Sequence, residues 1–172
     1  MTRGTADLVV TGNGVALWRG KALRCALGRA GIATDKREGD GATPTGAFAM
    51  RCVLYRPDRE SPPPTTLPVT PLDPADGWCD APDDAAYNRP VRLPYRSSAE
   101  ALWRADAVYD LIVVLGHNDA PAVPGRGSAI FLHLAQPDYR PTEGCIALAR
   151  ADLLTVLAEA DMTSRVVVEA AG

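Results

Sequence analysis

Only two histidines occur in the 172 residues, and none of the four cysteines stands in a C-x-x-C pair. A zinc ribbon or a thioredoxin-like redox motif needs such a pair, so neither is expected. Nor do Cys25, Cys52, Cys79 and Cys145 follow the spacing of a disulfide scaffold; Cys25 and Cys52 lie among apolar residues and read as plain core positions. Basic charge is not in excess. The formal net charge is −3 and the isoelectric point about 5.3. A nucleic-acid binder carries a basic field, so no nucleic-acid partner is expected. No apolar run is long enough to cross a bilayer, so no membrane span is expected. The opening MTRGTADLVV has no basic stretch leading into an apolar core and does not read as a signal peptide. On that ground the chain is expected either to be cytoplasmic or to start after a removed leader.

What the sequence holds instead is 15 glycines and 15 prolines. With few long helical apolar patterns, this points to a loop-rich, mainly β protein. The length suits one domain with a real core, and residues 1–172 are read as a single unit. Residues 6–32 read as a β-meander, with a hairpin signal at Thr11-Gly-Asn-Gly14. A polar, Gly-rich loop over 35–46 precedes a strand over 47–55. Seven prolines fall in 57–75, which predicts a loop outside the sheet, a surface flap inserted into the domain. Ser97 and Glu100 fit a capping box, predicting a short helix to about Ala105. Asp110–Leu115 and Ala129–Leu134 read as buried strands, residues 150–161 as a helix with Leu153, Leu154 and Leu157 on one face, and Arg165–Glu169 as a closing strand.

Chemistry concentrates near the C-terminal third. His133 sits near a strand end, and twelve positions later Cys145 follows Gly144 and precedes a helix. A free thiol has a pKa of about 8.5 and needs help to act as a thiolate at neutral pH. An imidazole within reach gives that help. Glycine before the nucleophile lets a reacting carbonyl approach the backbone, where amides can stabilise an oxyanion. By spacing alone, a buried inert cysteine is the commoner meaning of such a pattern.

The block Thr142-Glu-Gly-Cys145, read with the upstream His133, resembles the Ser/Thr-His-Gly-Cys block of the L,D-transpeptidase family, which has the YkuD catalytic domain. Further segments resemble one branch of that family: Gly41–Phe48, Gly77-Trp-Cys-Asp80, Tyr87-Asn-Arg-Pro90, Gly116-His-Asn118 and Gly125–His133. The resemblance implies a β-sandwich with one or two short helices. It also implies that Cys145 is the nucleophile, His133 its base, and Gly144 with the Cys145 amide the oxyanion site. Two positions depart from the pattern. Glu143 replaces the usual histidine, and Ala147 stands where the family often has Arg or Asn. Glu143 either holds an incoming amine or is solvated.

Around this pair, Arg126, Arg140 and Arg150 are candidates for binding stem-peptide carboxylates, with solvated surface arginine as the equal alternative. Ser128 bonds the histidine or serves a turn. Trp78, Asp80, Tyr87 and Asn88 either wall the pocket or pack a loop. His117 is expected to be structural or pocket-lining rather than a base. The implied function is cross-linking of peptidoglycan stem peptides by cysteine acyl transfer, joining third residue to third or first to third. No cofactor or metal is required, and a monomer in the periplasm or cell envelope is expected. The alternatives are a hydrolase that trims stem peptides, a zinc hydrolase using His117, His133 and Cys145, and a non-catalytic wall-binding module.

Overall fold

Alternating apolar residues and positive-φ turns dictate the first elements. The computed structural model describes residues 6–170. Residues 1–5, which begin the stretch weighed as a leader, and 171–172 lie outside the described residues. Strands β1 (Asp7–Thr11), β2 (Val15–Trp18) and β3 (Lys21–Ala26) form the expected meander. Arg19 and Gly20 both take positive φ between β2 and β3, the backbone a tight hairpin requires. Short β4 (Ile32–Ala33) and β5 (Thr43–Pro44) pair with each other, and the long β6 (Gly46–Tyr55) follows.

The second half supplies β7 (Val69–Pro71), β8 (Asp76–Cys79), β9 (Pro90–Arg92), β10 (Ala99–Ala101), β11 (Leu111–Leu115), β12 (Phe131–Leu134) and β13 (Ile146–Leu148). Helix α1 (Arg150–Glu159) and β14 (Arg165–Val168) complete the described chain. The main sheet is nine-stranded, in the order β11-β12-β13-β3-β2-β1-β14-β6-β7, and β6 also pairs with β11. That last pairing closes the sheet on itself. Two strands act as corners. The first half of β6 pairs with β14 and its second half with β11. Likewise β3 pairs with β2 through Lys21–Arg24 and with β13 through Cys25 and Ala26. The result is a sandwich joined along two edges, the mainly β architecture expected.

The inward faces share one core that includes Trp18, Met50, Val113, Leu132, Ile146, Leu148 and Val166. Leu153, Val156 and Leu157 of α1 enter the same core, so the helix is fixed by its apolar face rather than by a side-chain cap. A second layer lies outside. The three-stranded sheet β10-β8-β9 covers a cluster made of Trp78, Tyr109, Ile112, Val114, Phe131 and Cys145, among others. Strand alternation explains the split: Leu111, Val113 and Leu115 face the first core, Ile112 and Val114 the second. This is why β11 reads as an uninterrupted apolar run; both of its faces are covered.

Three expectations are corrected. The helix over 97–105 is absent: Ala99–Ala101 form β10, paired with β8, and Ser97 Oγ donates to Asp84 instead of capping. Cross-strand pairing and burial override a local capping signal. The proline-rich segment is not a detached flap. Its β7 pairs with β6, Leu67 and Leu72 are buried, and Pro71 sits on a short strand that has no second neighbour to bond. Finally, Cys145 leads directly into β13 rather than into a helix; α1 starts five residues later, at Arg150.

Leu132 has no exposed surface and sits in β12, paired on both sides by β11 and β13. Leu132→Ala is expected to lower the unfolding free energy by about 2–5 kcal/mol, read as a shifted midpoint in chemical denaturation.

Candidate active site

Parallel pairing of β12 and β13 places Leu132 beside Ile146 and His133 beside Ala147. Alternation then turns Phe131, His133, Cys145 and Ala147 away from the first core and toward the second layer. Cys145 and His133 thereby line one cavity of about 480 Å³. Residues from four other regions complete it: Lys36 and Glu38, Asp80, Glu100 to Tyr109, and Ser128. The mouth carries Arg140, Pro141, Thr142 and Glu143.

The turn before Cys145 is built by Thr142. Its Oγ1 donates to the Cys145 carbonyl at 2.6 Å and accepts from Gly144 N at 3.1 Å. Gly144 has φ +136°, and a Cβ there would lie 2.8 Å from the Ala42 carbonyl. Only glycine fits this position. The Gly144 amide is therefore engaged inside the turn. For the Cys145 amide, no hydrogen bond outside the strand ladders is found among the described residues.

In the resting site the Cys145 thiol donates to the Ala129 carbonyl at 3.1 Å, and Phe131 N donates to the sulfur at 3.4 Å. Burial pushes the thiol up to about 12, with the Glu100 charge adding to the effect and the Phe131 amide and Lys36 opposing it. His133 is 6% exposed, and burial lowers its pKa to about 4. Its Nδ1 lies 2.9 Å from the Leu134 carbonyl. A carbonyl only accepts, so Nδ1 carries the proton and Nε2 presents a lone pair. The Tyr109 ring packs edge-on against the imidazole at 5.2 Å. The resting pair is thus a neutral thiol and a neutral imidazole of fixed tautomer.

Several residues singled out from the sequence lie behind the cavity rather than in it. Trp78 is buried; its Nε1 donates to Asn88 Oδ1 at 2.9 Å, and its ring meets Phe131 edge-on at 5.1 Å. Asn88 Oδ1 also accepts from Ala129 N at 3.1 Å, while its Nδ2 donates to the His117 and Asn118 carbonyls at 3.0 and 2.8 Å. Ala129 has φ +53°, a conformation costing about 1–2 kcal/mol in an L-residue. Asn88 holds that strained residue in place, and its carbonyl receives the thiol. Tyr87 donates to Glu38 at 2.9 Å and accepts from Gly127 N at 3.0 Å. Trp78, Tyr87 and Asn88 are supports, not walls.

His117 does not line the cavity. Its ring packs edge-on against Phe48 at 5.3 Å, its Nδ1 is buried without a partner, and burial lowers its pKa to about 4. Among the described residues no three His, Cys, Asp or Glu side chains converge as metal ligands. Arg126 pairs with Asp35 at 3.0 Å and Arg150 with Glu60 at 2.5 Å; neither lines the cavity. Ser128 does line it, and its Oγ donates to Glu38 rather than to the histidine. Glu143 is at the mouth, with its side chain 82% exposed and paired to Arg29 at 3.0 Å. Sequence reasoning missed Lys36, Glu38, Glu100, Arg104, Asp106 and Tyr109. Glu100 was absorbed into a capping box, and the others lie in loops with no periodic signal.

Residues 4–168 match the sequence model of a family described as the YkuD L,D-transpeptidase catalytic domain. A search of curated proteins finds no match. Among solved structures, an L,D-transpeptidase from Mycobacterium smegmatis is 11% identical, with a TM-score of 0.43, covering 96% of this chain and 58% of that one. L,D-transpeptidase 3 from Mycobacterium tuberculosis, in complex with a faropenem-derived adduct, is 13% identical with a TM-score of 0.46, covering 96% and 60%. The helical cell shape determining protein Pgp2 from Campylobacter jejuni is 14% identical with a TM-score of 0.41, covering 98% and 48%. The chain therefore spans about three fifths or less of the length of these solved structures.

Asn88→Ala is expected to lower stability by about 2–4 kcal/mol in chemical denaturation, because buried partners on three segments lose their bonds together. A second outcome concerns pH. With the thiol pushed up to about 12 and the imidazole lowered to about 4, both groups stay neutral between these values. Alkylation of Cys145 in the free protein should then rise about tenfold per pH unit from 7 to 9. Mass spectrometry of iodoacetamide-treated protein, with Cys145→Ala as control, reads this; a plateau below pH 7 would instead reveal a preformed thiolate–imidazolium pair.

Proposed function

The chain belongs to the YkuD L,D-transpeptidase catalytic-domain family, and on that premise we propose that it cross-links peptidoglycan stem peptides by cysteine acyl transfer. The observation that carries the reading is the pairing of β12 with β13. It sets Cys145 and His133 on one face of one cavity, with the free lone pair of His133 on Nε2.

The reaction follows from that arrangement. The thiol leaves the Ala129 carbonyl and attacks a stem-peptide carbonyl on its L-centre side, while His133 Nε2 takes the thiol proton. Deprotonation is coupled to attack, because a free thiolate is disfavoured in this buried position. Since Gly144 N–H is held by Thr142, the Cys145 amide is the oxyanion donor in this scheme. The tetrahedral intermediate collapses to a thioester, and the following D-residue leaves with the proton from His133. An amine of a neighbouring stem then attacks the thioester. Asn88 and Thr142 act earlier, by shaping the backbone that carries the sulfur. No metal or organic cofactor is needed. On this reading the reaction takes place in the cell envelope and the protein acts as a monomer.

Ala147 presents only a methyl group beside His133, where the family often has a long polar side chain. Without a larger side chain at this position, both third-to-third and first-to-third linkage stay open in this reading. Hydrolysis replaces transfer if water reaches the thioester first. Muropeptide mass spectrometry on products of the purified protein separates the three outcomes.

Intact-protein mass spectrometry after carbapenem exposure is expected to show one covalent adduct on the wild type and none on Cys145→Ala. His133→Gln should slow adduct formation by about 10²–10⁴-fold. A wild type that stays unmodified by both carbapenem and stem peptide would overturn the reading in favour of a binding module.

A further inference from the structure

The cavity is electrostatically one-sided. Its cations already have carboxylate partners: Lys36 bonds Asp40, Arg104 bonds Asp106 at 2.6 Å, and Arg140 bonds Asp138 at 3.1 Å. At the mouth, Glu143 has Arg29. Three lining carboxylates have no cationic partner among the described residues: Glu38, Asp80 and Glu100. Glu38 receives only the hydroxyls of Tyr87 and Ser128, and Glu100 only that of Tyr109. Asp80 Oδ1 is buried and has no hydrogen-bond partner among the described residues. A buried carboxylate oxygen without a donor is costly, and a native site tolerates it when a ligand supplies the donor.

The fold aims two of these groups at one place. Glu100 lies opposite Trp78 in the β8–β10 ladder, and Asp80 continues the strand two residues beyond Trp78, with its amide bonded to the Ser98 carbonyl at 3.2 Å. Alternation puts Trp78, Asp80 and Glu100 on the same face of the small sheet. That face packs on Phe131 of β12, next to Cys145. The two carboxylates therefore stand across the cavity wall from the nucleophile.

We propose that Asp80 and Glu100 form the subsite for a primary ammonium group, the reacting amine of the acceptor stem peptide. The assignment rests on the acyl-transfer reading above and moves the acceptor contact from Glu143, which is solvated and ion-paired, to the inner wall. An ammonium placed there gives Asp80 Oδ1 its missing donor and offsets the charge of Glu100, which otherwise opposes ionisation of the thiol. The proton balance also closes. An ammonium that becomes an amide nitrogen gives up two protons. One passes to a carboxylate of the pair and on to solvent, freeing the nitrogen lone pair. As the new C–N bond forms and the C–S bond breaks, the second regenerates the Cys145 thiol by way of His133.

The test is calorimetric binding to the full Cys145→Ala chain, so that no acyl transfer is required. The probes are a stem tripeptide ending in diaminopimelate with its side-chain amine free, and the same peptide acetylated on that amine. The free-amine peptide is expected to bind at least tenfold more tightly than the acetylated one. Asp80→Asn and Glu100→Gln, each of which keeps the shape and removes the charge, should erase most of that preference. Equal binding of the two peptides to the Cys145→Ala chain overturns the proposal without any further variant, as does a preference that survives both substitutions. The two readings fail separately. Amine-selective binding by a protein that forms no acyl-enzyme sinks the transpeptidase reading alone, whereas acyl transfer without amine selectivity sinks the subsite alone.

Discussion

Parallel pairing of β12 with β13 governs the rest of the molecule's chemistry. The register sets His133 beside Ala147, and strand alternation then sends Cys145 to the same side as the imidazole. A slip of one residue in either strand would turn one of the two into the sandwich core and bring Leu132 or Ile146 out. Register is secured because these neighbours are fully buried on the opposite face. The hydrophobic core thus fixes the site, although no residue of that core takes part in the reaction.

Around that register the chain holds backbone in conformations it would not adopt alone. Ala129 and Asn88 both take positive φ, and so does Gly144. Asn88 ties Trp78, the 117–118 turn and Ala129 together through four hydrogen bonds. Thr142 does the same for the turn leading into Cys145. Local strain is kept where the surrounding structure over-determines it, and here it shapes the bed of the nucleophile. The segments around Tyr87-Asn88 and Gly116–Asn118 lie behind the cavity and support the residues that line it.

The electrostatic character of the cavity adds a further layer. Burial keeps both members of the pair neutral at rest, and the Glu100 charge reinforces this for the thiol. A buried, negatively biased wall beside a group that must lose a proton is unfavourable for the empty protein. It becomes favourable once a cation occupies it. In the proposed acceptor step, recognition of an amine and the charge balance of the cavity wall then rest on one set of carboxylates.

How much of this was legible in the sequence depends on whether the signal was local. The meander over 7–26, the buried runs at 111–115 and 131–134 and the helix at 150–159 follow from periodicity and turn residues, and these persisted in the fold. Cys145 and His133 were legible as candidates because the Gly-Cys block and its upstream histidine lie on one short stretch of chain. The capping signal at Ser97 and Glu100 misled, since β8 offers that segment a ladder and the cavity offers Glu100 a tyrosine hydroxyl. The proline-rich segment was misread for the same reason: an edge strand tolerates proline, and no local pattern reveals which strand it joins. By itself the sequence determined the strand periodicities, the glycine turns and Cys145 with His133 as the candidate pair, because each depends on residues near one another in the chain. Tertiary structure alone decided which carboxylates face the thiol and which partners hold Arg126 and Arg150, because those depend on side chains brought together from segments up to about a hundred residues apart.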